Sequence, residues 1–214
     1  MPTDRANIST PPPFPGFILA VGGQCRKVGK STLVADILAA FPNRNWTAVK
    51  ITPYAESGCP VNGQSCGCAP NDHPFAIREE TKCGSSTDTS RFLSAGASRA
   101  LWLETKEHRL IDALPALAAE LAHANYVIIE SDALMRIWKP SLFLMVLDPA
   151  NPDFKSSARA NLLLADGFVL RSPFAASAAI EANAADVAKK PHFLQIISSP
   201  LPMELRQFLS GSIF

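Results

Sequence analysis

The sequence predicts an α/β fold, a doubly wound and mostly parallel sheet of about seven strands with helices on both faces. Short apolar runs alternate with helical segments, which is typical of parallel strands joined by crossover helices. Most runs are continuously apolar, which indicates strands buried on both faces of the sheet. The predicted strands are 17–21, 47–51, 99–103, 126–130, 142–148, 167–171 and 193–197.

Helices are predicted between these strands, at 31–41, 87–96, 107–123, 154–164, 174–188 and 202–210. In the third of them, leucines recur at spacings of four and three and mark one buried face. Pro115 lies inside that pattern, and we expect it to kink or split the helix because proline removes a backbone donor.

The composition favours a globular protein, with 47% hydrophobic and 18% charged residues among 214. We expect a disordered proline-rich tail over 1–13 and a single domain over 14–214. The net charge of +1 and the lack of a basic stripe argue against nucleic acid as a partner. No apolar run is long enough to span a membrane, and the first residues lack the apolar core of a secretory signal. A cytoplasmic location is therefore expected.

The segment GGQCRKVGKST connects the first predicted strand to the first predicted helix. Its glycines permit a tight turn and a close approach to phosphate, and the N–H groups at the helix start face an anion. Lys30 is placed to reach the β- and γ-phosphates, and the Ser31 hydroxyl is placed to hold Mg²⁺. The predicted site for ATP or GTP consists of Gly22, Gly23, Gln24, Cys25, Arg26, Lys27, Val28, Gly29, Lys30, Ser31 and Thr32.

Five residues separate Gly23 from Gly29, where the usual phosphate loop has four. This form, with Val28 before Gly-Lys-Ser-Thr, resembles the loop of dethiobiotin synthetases. The resemblance extends to the subclass of P-loop NTPases that includes MinD, the nitrogenase iron protein and MobB. The second lysine that marks MinD-like members is absent, because Cys25 occupies its position.

Three further segments resemble MobB: Lys50 at the end of the second strand, DTSRFLSAGA at 88–97, and VIIESD at 127–132. MobB assists molybdopterin-guanine dinucleotide biosynthesis and binds GTP. The resemblance implies an accessory NTPase in metal-cofactor assembly, with a metalloenzyme or a cofactor-biosynthesis protein as partner, and it leaves a homodimer open. The histidine-rich stretch of MobB is replaced here by cysteines.

The predicted catalytic residues are Lys30, Glu130, Lys50 and Asp88. Glu130 ends a buried strand and is the predicted Mg²⁺ carboxylate together with Ser31, with Asp132 as a second candidate. Lys50 ends a strand at the edge where open α/β sheets bind ligands, within reach of a γ-phosphate or a second substrate. Asp88 and Arg91 share a helical face, either as an ordinary ion pair or as part of the site.

The connection over 52–86 is predicted to lack secondary structure, and a connection of that length is usually functional. It contains Cys59, Cys66, Cys68 and Cys83, a set of thiols that suits Zn²⁺ or an iron–sulfur cluster. Free thiols, disulfides, or replacement of one cysteine by His73 are the alternatives. Cys25 is either a small buried filler or a redox-sensitive thiol at a helix start.

Three functions fit these residues. The first is the accessory NTPase described above. The second is a small-molecule kinase or ATP-dependent ligase, with Lys50 and the cysteine segment forming a second substrate pocket. The third is a nucleotide-gated metallochaperone with negligible turnover. The base remains open between adenine and guanine, because Arg171-Ser172-Pro173 stands where a guanine-recognition motif is often found.

Overall fold

The computed structural model describes residue 14 and residues 16–54, 74–106, 108–171 and 188–213. Within these residues, eight strands form one sheet. The strands are β1 (Phe17–Gly23), β2 (Thr47–Tyr54), β3 (Phe75–Glu79), β4 (Arg99–Lys106), β5 (Tyr126–Glu130), β6 (Leu142–Leu147), β7 (Gly167–Leu170) and β8 (His192–Leu194).

The strand order is β3-β4-β2-β5-β1-β6-β7-β8. Every described pair is parallel except the antiparallel pair of β3 and β4 at one edge. The predicted α/β architecture is confirmed. The expected number of about seven strands is too low by one for the described part of the chain.

The additional strand is β3, which lies inside the connection that the sequence predicts to be without secondary structure. It pairs along β4 from Phe75 opposite Thr105 to Glu79 opposite Leu101. β2 also continues to Tyr54, beyond its predicted end. The prediction was wrong here because an edge strand is fixed by its pairing with a distant strand, which local periodicity does not report. The predicted tail and residues 55–73 lie outside the described residues.

Five α-helices lie in the described residues: α1 (Lys30–Ala40), α2 (Asp88–Ser94), α3 (Leu110–Leu121), α4 (Ser156–Asn161) and α5 (Met203–Ile213). The helix predicted over 174–188 falls outside the described residues except for its last position. Of the kink or split expected at Pro115, the split does not occur, because α3 continues through the proline. Proline removes only one hydrogen bond there, and Leu114 and Leu117 are buried on either side of it.

Each face of the sheet has its own core. On one face, Leu114 and Leu117 of α3 pack with Ile129 of β5. On the other face, α1 and α5 pack over Ile128 of the same strand and contribute residues such as Leu33. Burial of each such side chain contributes about 1.5–3 kcal/mol. Alternate residues of β5 therefore enter different cores, as a sheet covered on both faces requires.

The topology brings residues of three strands together near the carboxyl edge of the sheet. β5 lies between β1 and β2, with Val21 opposite Glu130 and Lys50 opposite the same glutamate. These positions therefore lie side by side where ligands of open α/β sheets bind. Within the described residues, no helix combines the length and apolar character needed to cross a membrane.

Candidate functional site

The phosphate loop runs from the end of β1 to the start of α1. Gly29, the residue before α1, has a φ of +99°, a left-handed conformation that favours glycine. A Cβ atom at this position would lie 2.7 Å from Nε of Arg171. The backbone conformation therefore favours glycine at position 29, and an added Cβ atom would require the Arg171 side chain to shift.

Buried polar contacts fix the first half of the loop. Gln24 is 1% exposed, and its side-chain amide donates to the carbonyls of Asn151 and Asp153 at 2.6 and 2.9 Å. Its Oε1 accepts from the backbone N–H of Asp148 at 2.9 Å. These bonds attach the loop to the segment after β6.

Lys30 and Asp132 make polar contacts with the backbone of the loop and with each other. The ammonium of Lys30 donates to the Cys25 carbonyl at 3.0 Å and lies 3.4 Å from Oδ2 of Asp132. Oδ1 of Asp132 accepts from the N–H of Gly23 at 2.7 Å. Asp132, the second candidate for Mg²⁺, is therefore placed at the phosphate loop, while Glu130 is placed with Ser31.

Four predicted site residues converge at the start of α1. Oγ of Ser31 donates to Oε2 of Glu130 at 2.8 Å, and Glu130 is 2% exposed. The ammonium of Lys50 contacts the other oxygen of Glu130, lies 3.0 Å from Oδ2 of Asp88 and lies 3.4 Å from Oγ of Ser31. One cation is thus surrounded by a hydroxyl and two carboxylates, which come from α1, α2 and β5.

Burial and the neighbouring charges shift the pKa of one carboxyl of this cluster in opposite directions. Burial raises the pKa of the Asp88 carboxyl, but its contacts with Lys50 and Ser31 and the nearby charge of Arg91 hold the pKa below its ordinary value. Arg91 lies 3.6 Å from Asp88 and donates to Oγ1 of Thr32 at 3.4 Å. Arg91 therefore contacts both the cluster and the phosphate loop.

The start of α2 places Asp88. Thr87 caps this helix, since its hydroxyl oxygen accepts from the backbone N–H of Ser90 at 3.2 Å. The Thr87 hydroxyl donates in turn to Glu80 at 2.9 Å. The backbone N–H of Lys82 and the Thr87 hydroxyl lower the pKa of Glu80, because they bind its ionised form. Glu80 was not predicted as a site residue, and it connects the end of β3 to this helix.

Arg171 is a second contact that the sequence did not assign. It follows β7, and its Nη2 donates to the Gly29 carbonyl at 2.6 Å. Its Nη1 donates to Oε1 of Gln195 at 3.0 Å, and Nε2 of Gln195 donates to Asp36 of α1 at 2.6 Å. Burial lowers the pKa of the Arg171 guanidinium, with the charge of Asp36 opposing that shift. In the sequence, this role is indicated by the position of Arg171, a polar residue directly after a buried strand.

Cys25 is buried in the loop, with 1% of its surface exposed. Burial and the nearby charge of Asp153 raise the pKa of its thiol, while Lys30 and Lys155 oppose that shift. A thiol with a raised pKa carries little of the reactive thiolate at neutral pH. The structure therefore gives Cys25 the properties of a small buried filler and not those of a redox-sensitive group.

The predicted four-cysteine metal site lies mainly outside the described residues. Cys83 is exposed and has a free thiol, whereas Cys59, Cys66, Cys68 and the alternative His73 are not described. Among the described residues, no group of three or more His, Cys, Asp or Glu side chains could hold a metal ion. The four-cysteine site stays a prediction.

The donor set around Lys50 is nevertheless suited to a different metal. A hydroxyl and two carboxylates are hard oxygen donors, the type that Mg²⁺ prefers. The lysine ammonium, which contacts all three groups, stands in for a cation at the point where their oxygens converge. Ser31, Asp88 and Glu130 are therefore the residues that fit a magnesium ion.

An open cleft of about 1130 Å³ lies over this cluster. The phosphate loop forms one end of the cleft. The ends of β2 and β4, the first turn of α3 and the segment after β5 form the other end.

No family model and no curated protein matches the chain. Among solved structures, HypB from Helicobacter pylori in complex with nickel is similar, with a TM-score of 0.54 and 15% identity over 92% of this chain and 87% of HypB. LpxK from Aquifex aeolicus in complex with ATP gives a TM-score of 0.48 and 15% identity, covering 84% of this chain and 54% of LpxK. The Zn(II)-bound YjiA GTPase from E. coli gives a TM-score of 0.43 and 13% identity, covering 89% of this chain and 60% of YjiA.

At such identities the likeness concerns the fold, and it does not distinguish a MobB-like from a dethiobiotin-synthetase-like subtype. The similarity to HypB covers most of both chains and therefore concerns the fold as a whole. The described chain has the fold of the P-loop NTPases.

Proposed function

We propose that this protein binds a nucleoside triphosphate with Mg²⁺ at the phosphate loop and cleaves or transfers the terminal phosphate. The observation that carries the proposal is the convergence of Ser31, Asp88 and Glu130 on one cation position beside the start of α1. A phosphate loop alone supports nucleotide binding, whereas the adjoining carboxylates support metal-dependent chemistry on the bound phosphates.

The loop residues bind and orient the phosphates in this proposal. Backbone N–H groups around Gly29 face the β-phosphate, and the left-handed glycine lets the chain approach it closely. Lys30 exchanges the Cys25 carbonyl for β- and γ-phosphate oxygens, a short movement for a flexible side chain. Asp132 keeps its bond to the Gly23 N–H and holds the start of the loop in place.

Ser31, Asp88 and Glu130 would hold Mg²⁺, which offsets the charge that develops on the phosphate oxygens. Lys50, whose ammonium contacts all three of these residues, would supply a positive charge beside the bound phosphates. Arg91, already at Thr32, provides a second positive charge on the same side. Lys50 of β2 and Glu130 of β5 thus supply both charge signs that phosphoryl transfer uses.

A Glu130→Gln variant tests the metal-dependent step. We expect nucleotide affinity to stay within about tenfold, and Mg²⁺ dependence and turnover to fall, because the amide keeps the shape but removes the charge. Phosphate release should be measured against Mg²⁺ concentration, with Glu204→Gln on α5 as the matched control, since that residue lies outside the cleft. An unchanged Mg²⁺ dependence would assign the metal to other residues and contradict the proposed arrangement.

The kinase or ligase alternative is favoured by one observation, the extension of the cleft beyond Lys50 towards the end of β2. Without an acceptor, a kinase or ligase would release phosphate slowly. With an acceptor present, it would transfer the terminal phosphoryl group to it. An accessory role in metal-cofactor assembly stays a prediction from the sequence, and the comparisons add no support for molybdopterin.

The metallochaperone alternative depends on the cysteine segment. HypB was solved with nickel and YjiA with zinc, which supports testing both metals here. We expect about one metal ion per chain or per pair of chains after anaerobic purification. Replacing Cys66 and Cys68 by serine should remove it, because four thiolates are needed to close such a site. Cys25→Ser is the control and should leave the content unchanged. Elemental analysis that finds no metal would contradict this alternative.

A further inference from the structure

The cleft continues past the phosphate end of the proposed nucleotide site because the strands differ in length. Lys50 of β2 is opposite Glu130, the last residue of β5. β2 runs four residues further, to Tyr54, and pairs with β4 as far as Lys106. At about 3.3 Å per residue, β2 and β4 extend roughly 13 Å beyond β5. We call this part of the cleft the overhang end.

Apolar side chains line the overhang end. Ile51 and Pro53 of β2, Ile111 in the first turn of α3 and Ile137 after β5 face the cleft. Ile111 and Ile137 are half-buried and pack on the core beneath, whereas Pro53 is exposed. Apolar walls with a few polar groups are typical of small-molecule pockets.

The cleft also concentrates positive charge. Its described lining contains eight lysines and arginines and three carboxylates, a surplus of five positive charges, whereas the whole chain has a net charge of +1. The cationic residues are Arg26, Lys27, Lys30, Lys50, Arg91, Lys106, Arg136 and Lys155.

These charges are distributed unevenly. The three carboxylates of the lining, Asp88, Glu130 and Asp132, each contact a lysine at the phosphate-loop end. The described lining of the overhang end includes Lys106 and Arg136 and no carboxylate. Among the described residues of that end, the guanidinium of Arg136 favours an anionic ligand.

Arg136 is the cation best placed to meet such a ligand. It is exposed at the cleft, and its guanidinium makes no ion pair or hydrogen bond with the described part of the chain. A guanidinium binds the oxygens of carboxylates, phosphates and sulfonates through paired N–H groups. The cleft, at about 1130 Å³, is larger than the roughly 300–1,000 Å³ of a pocket for one small ligand.

We infer that the overhang end binds a second ligand, an organic anion with an apolar body whose acidic group meets Arg136. The apolar body lies against Ile51, Ile111 and Ile137. The inference rests on the proposed function, because it places this ligand beside the terminal phosphate of a bound nucleotide. Lys50 lines the same cleft.

The test uses 8-anilinonaphthalene-1-sulfonate, an aromatic sulfonate with the required chemistry whose fluorescence rises in apolar surroundings. Protein saturated with Mg·ADP is titrated with this probe. We expect one probe per chain, bound without loss of nucleotide. Arg136→Glu should weaken binding of the probe at least tenfold, and Arg136→Lys should restore most of it. Lys139→Glu reverses an exposed charge three residues away, outside the cleft, and should change nothing.

Two results would overturn the inference: equal probe affinity for the wild type and Arg136→Glu, or stoichiometric displacement of the probe by Mg·ADP. Nucleotide affinity is measured in the same samples. A protein that fails to bind nucleotide but binds the probe in an Arg136-dependent manner contradicts the proposed function and leaves the anion site standing. Arg136 is exposed, so the substitutions are not expected to unfold the protein, and an unchanged thermal unfolding midpoint checks this.

Discussion

Lys50 occupies the point on which Ser31, Asp88 and Glu130 converge, and it therefore competes with any divalent cation for these oxygens. Its ammonium neutralises the carboxylate of Glu130, which is almost fully buried. Burial of this charge without a partner would destabilise the fold. In the proposed arrangement, Lys50 would have to move before a metal could bind. A single side chain would thus connect the stability of the cluster to binding of the proposed metal.

Lys50→Met should therefore allow metal to bind without nucleotide. We expect the nucleotide-free variant to bind Mn²⁺, used as a spectroscopic substitute for Mg²⁺, at least tenfold more tightly than the wild type. Titration followed by electron paramagnetic resonance measures the free ion, and Lys139→Met is the matched control. Equal Mn²⁺ affinity of the variant and the wild type would show that Lys50 does not compete for the site.

The pH dependence of this variant follows from Asp88. Lys50 helps to hold the pKa of Asp88 below its ordinary value, so the wild-type carboxylate stays ionised to lower pH. Removing the ammonium should raise that pKa, and burial then acts in the same direction. Mn²⁺ binding by Lys50→Met should accordingly be lost as the pH falls through the raised pKa of Asp88.

At the scale of elements, the loop between β1 and α1 depends on contacts from the residue that follows β7. Gly29 combines a φ of +99° with a close approach to Arg171, whereas Gly96 has a φ of +103° and open space where a Cβ atom would lie. Both glycines have a left-handed backbone conformation, but only Gly29 has neighbouring atoms where a Cβ atom would lie. They therefore form a matched pair for separating the two effects.

Gly29→Ala should lower the free energy of unfolding by more than Gly96→Ala. Left-handed strain costs about 1–3 kcal/mol at either position, and only Gly29→Ala adds a clash with Arg171. Only Gly29→Ala should weaken nucleotide binding. Denaturant unfolding and nucleotide titration measure the two effects. Equal loss of stability and unchanged nucleotide affinity in both variants would argue against a packing role for Arg171.

The elements predicted best are those with a local cause. The helix predicted at 31–41 is observed at Lys30–Ala40, because glycines, a helix start and an apolar face all occur within a few residues. β3 was missed because its pairing with β4 is made across some 25 residues of chain. The contacts of Arg171 were missed for the same reason, since Gly29 lies far away in sequence.

In the site, too, local features could be predicted and contacts between distant residues could not. Lys50 and Glu130 were predicted from strand ends, and Asp88 from the segment that resembles MobB and the helical face it shares with Arg91. The structure brings the three together. Their mutual contacts could not be predicted, because they depend on the strand order that sets β5 between β1 and β2. The pairing of Asp132 with the loop has the same origin.

At the scale of the whole molecule, two cores hold the sheet from both faces and leave its carboxyl edge open to ligand. The phosphate loop and the carboxylate cluster both lie on this edge, and so does the overhang end of the cleft. Nucleotide binding at the loop is the central claim, since the proposed metal-dependent chemistry acts on the phosphates of the nucleotide.

Calorimetric titration of the wild type and of Lys30→Ala with Mg·ATP and Mg·GTP tests that claim most directly. We predict one nucleotide per chain for the wild type. Affinity should fall at least a hundredfold in Lys30→Ala, a loss of about 2.7 kcal/mol, with cooperative unfolding retained. Failure of both nucleotides to bind the wild type at millimolar concentration, or equal affinity of the wild type and Lys30→Ala, would contradict it.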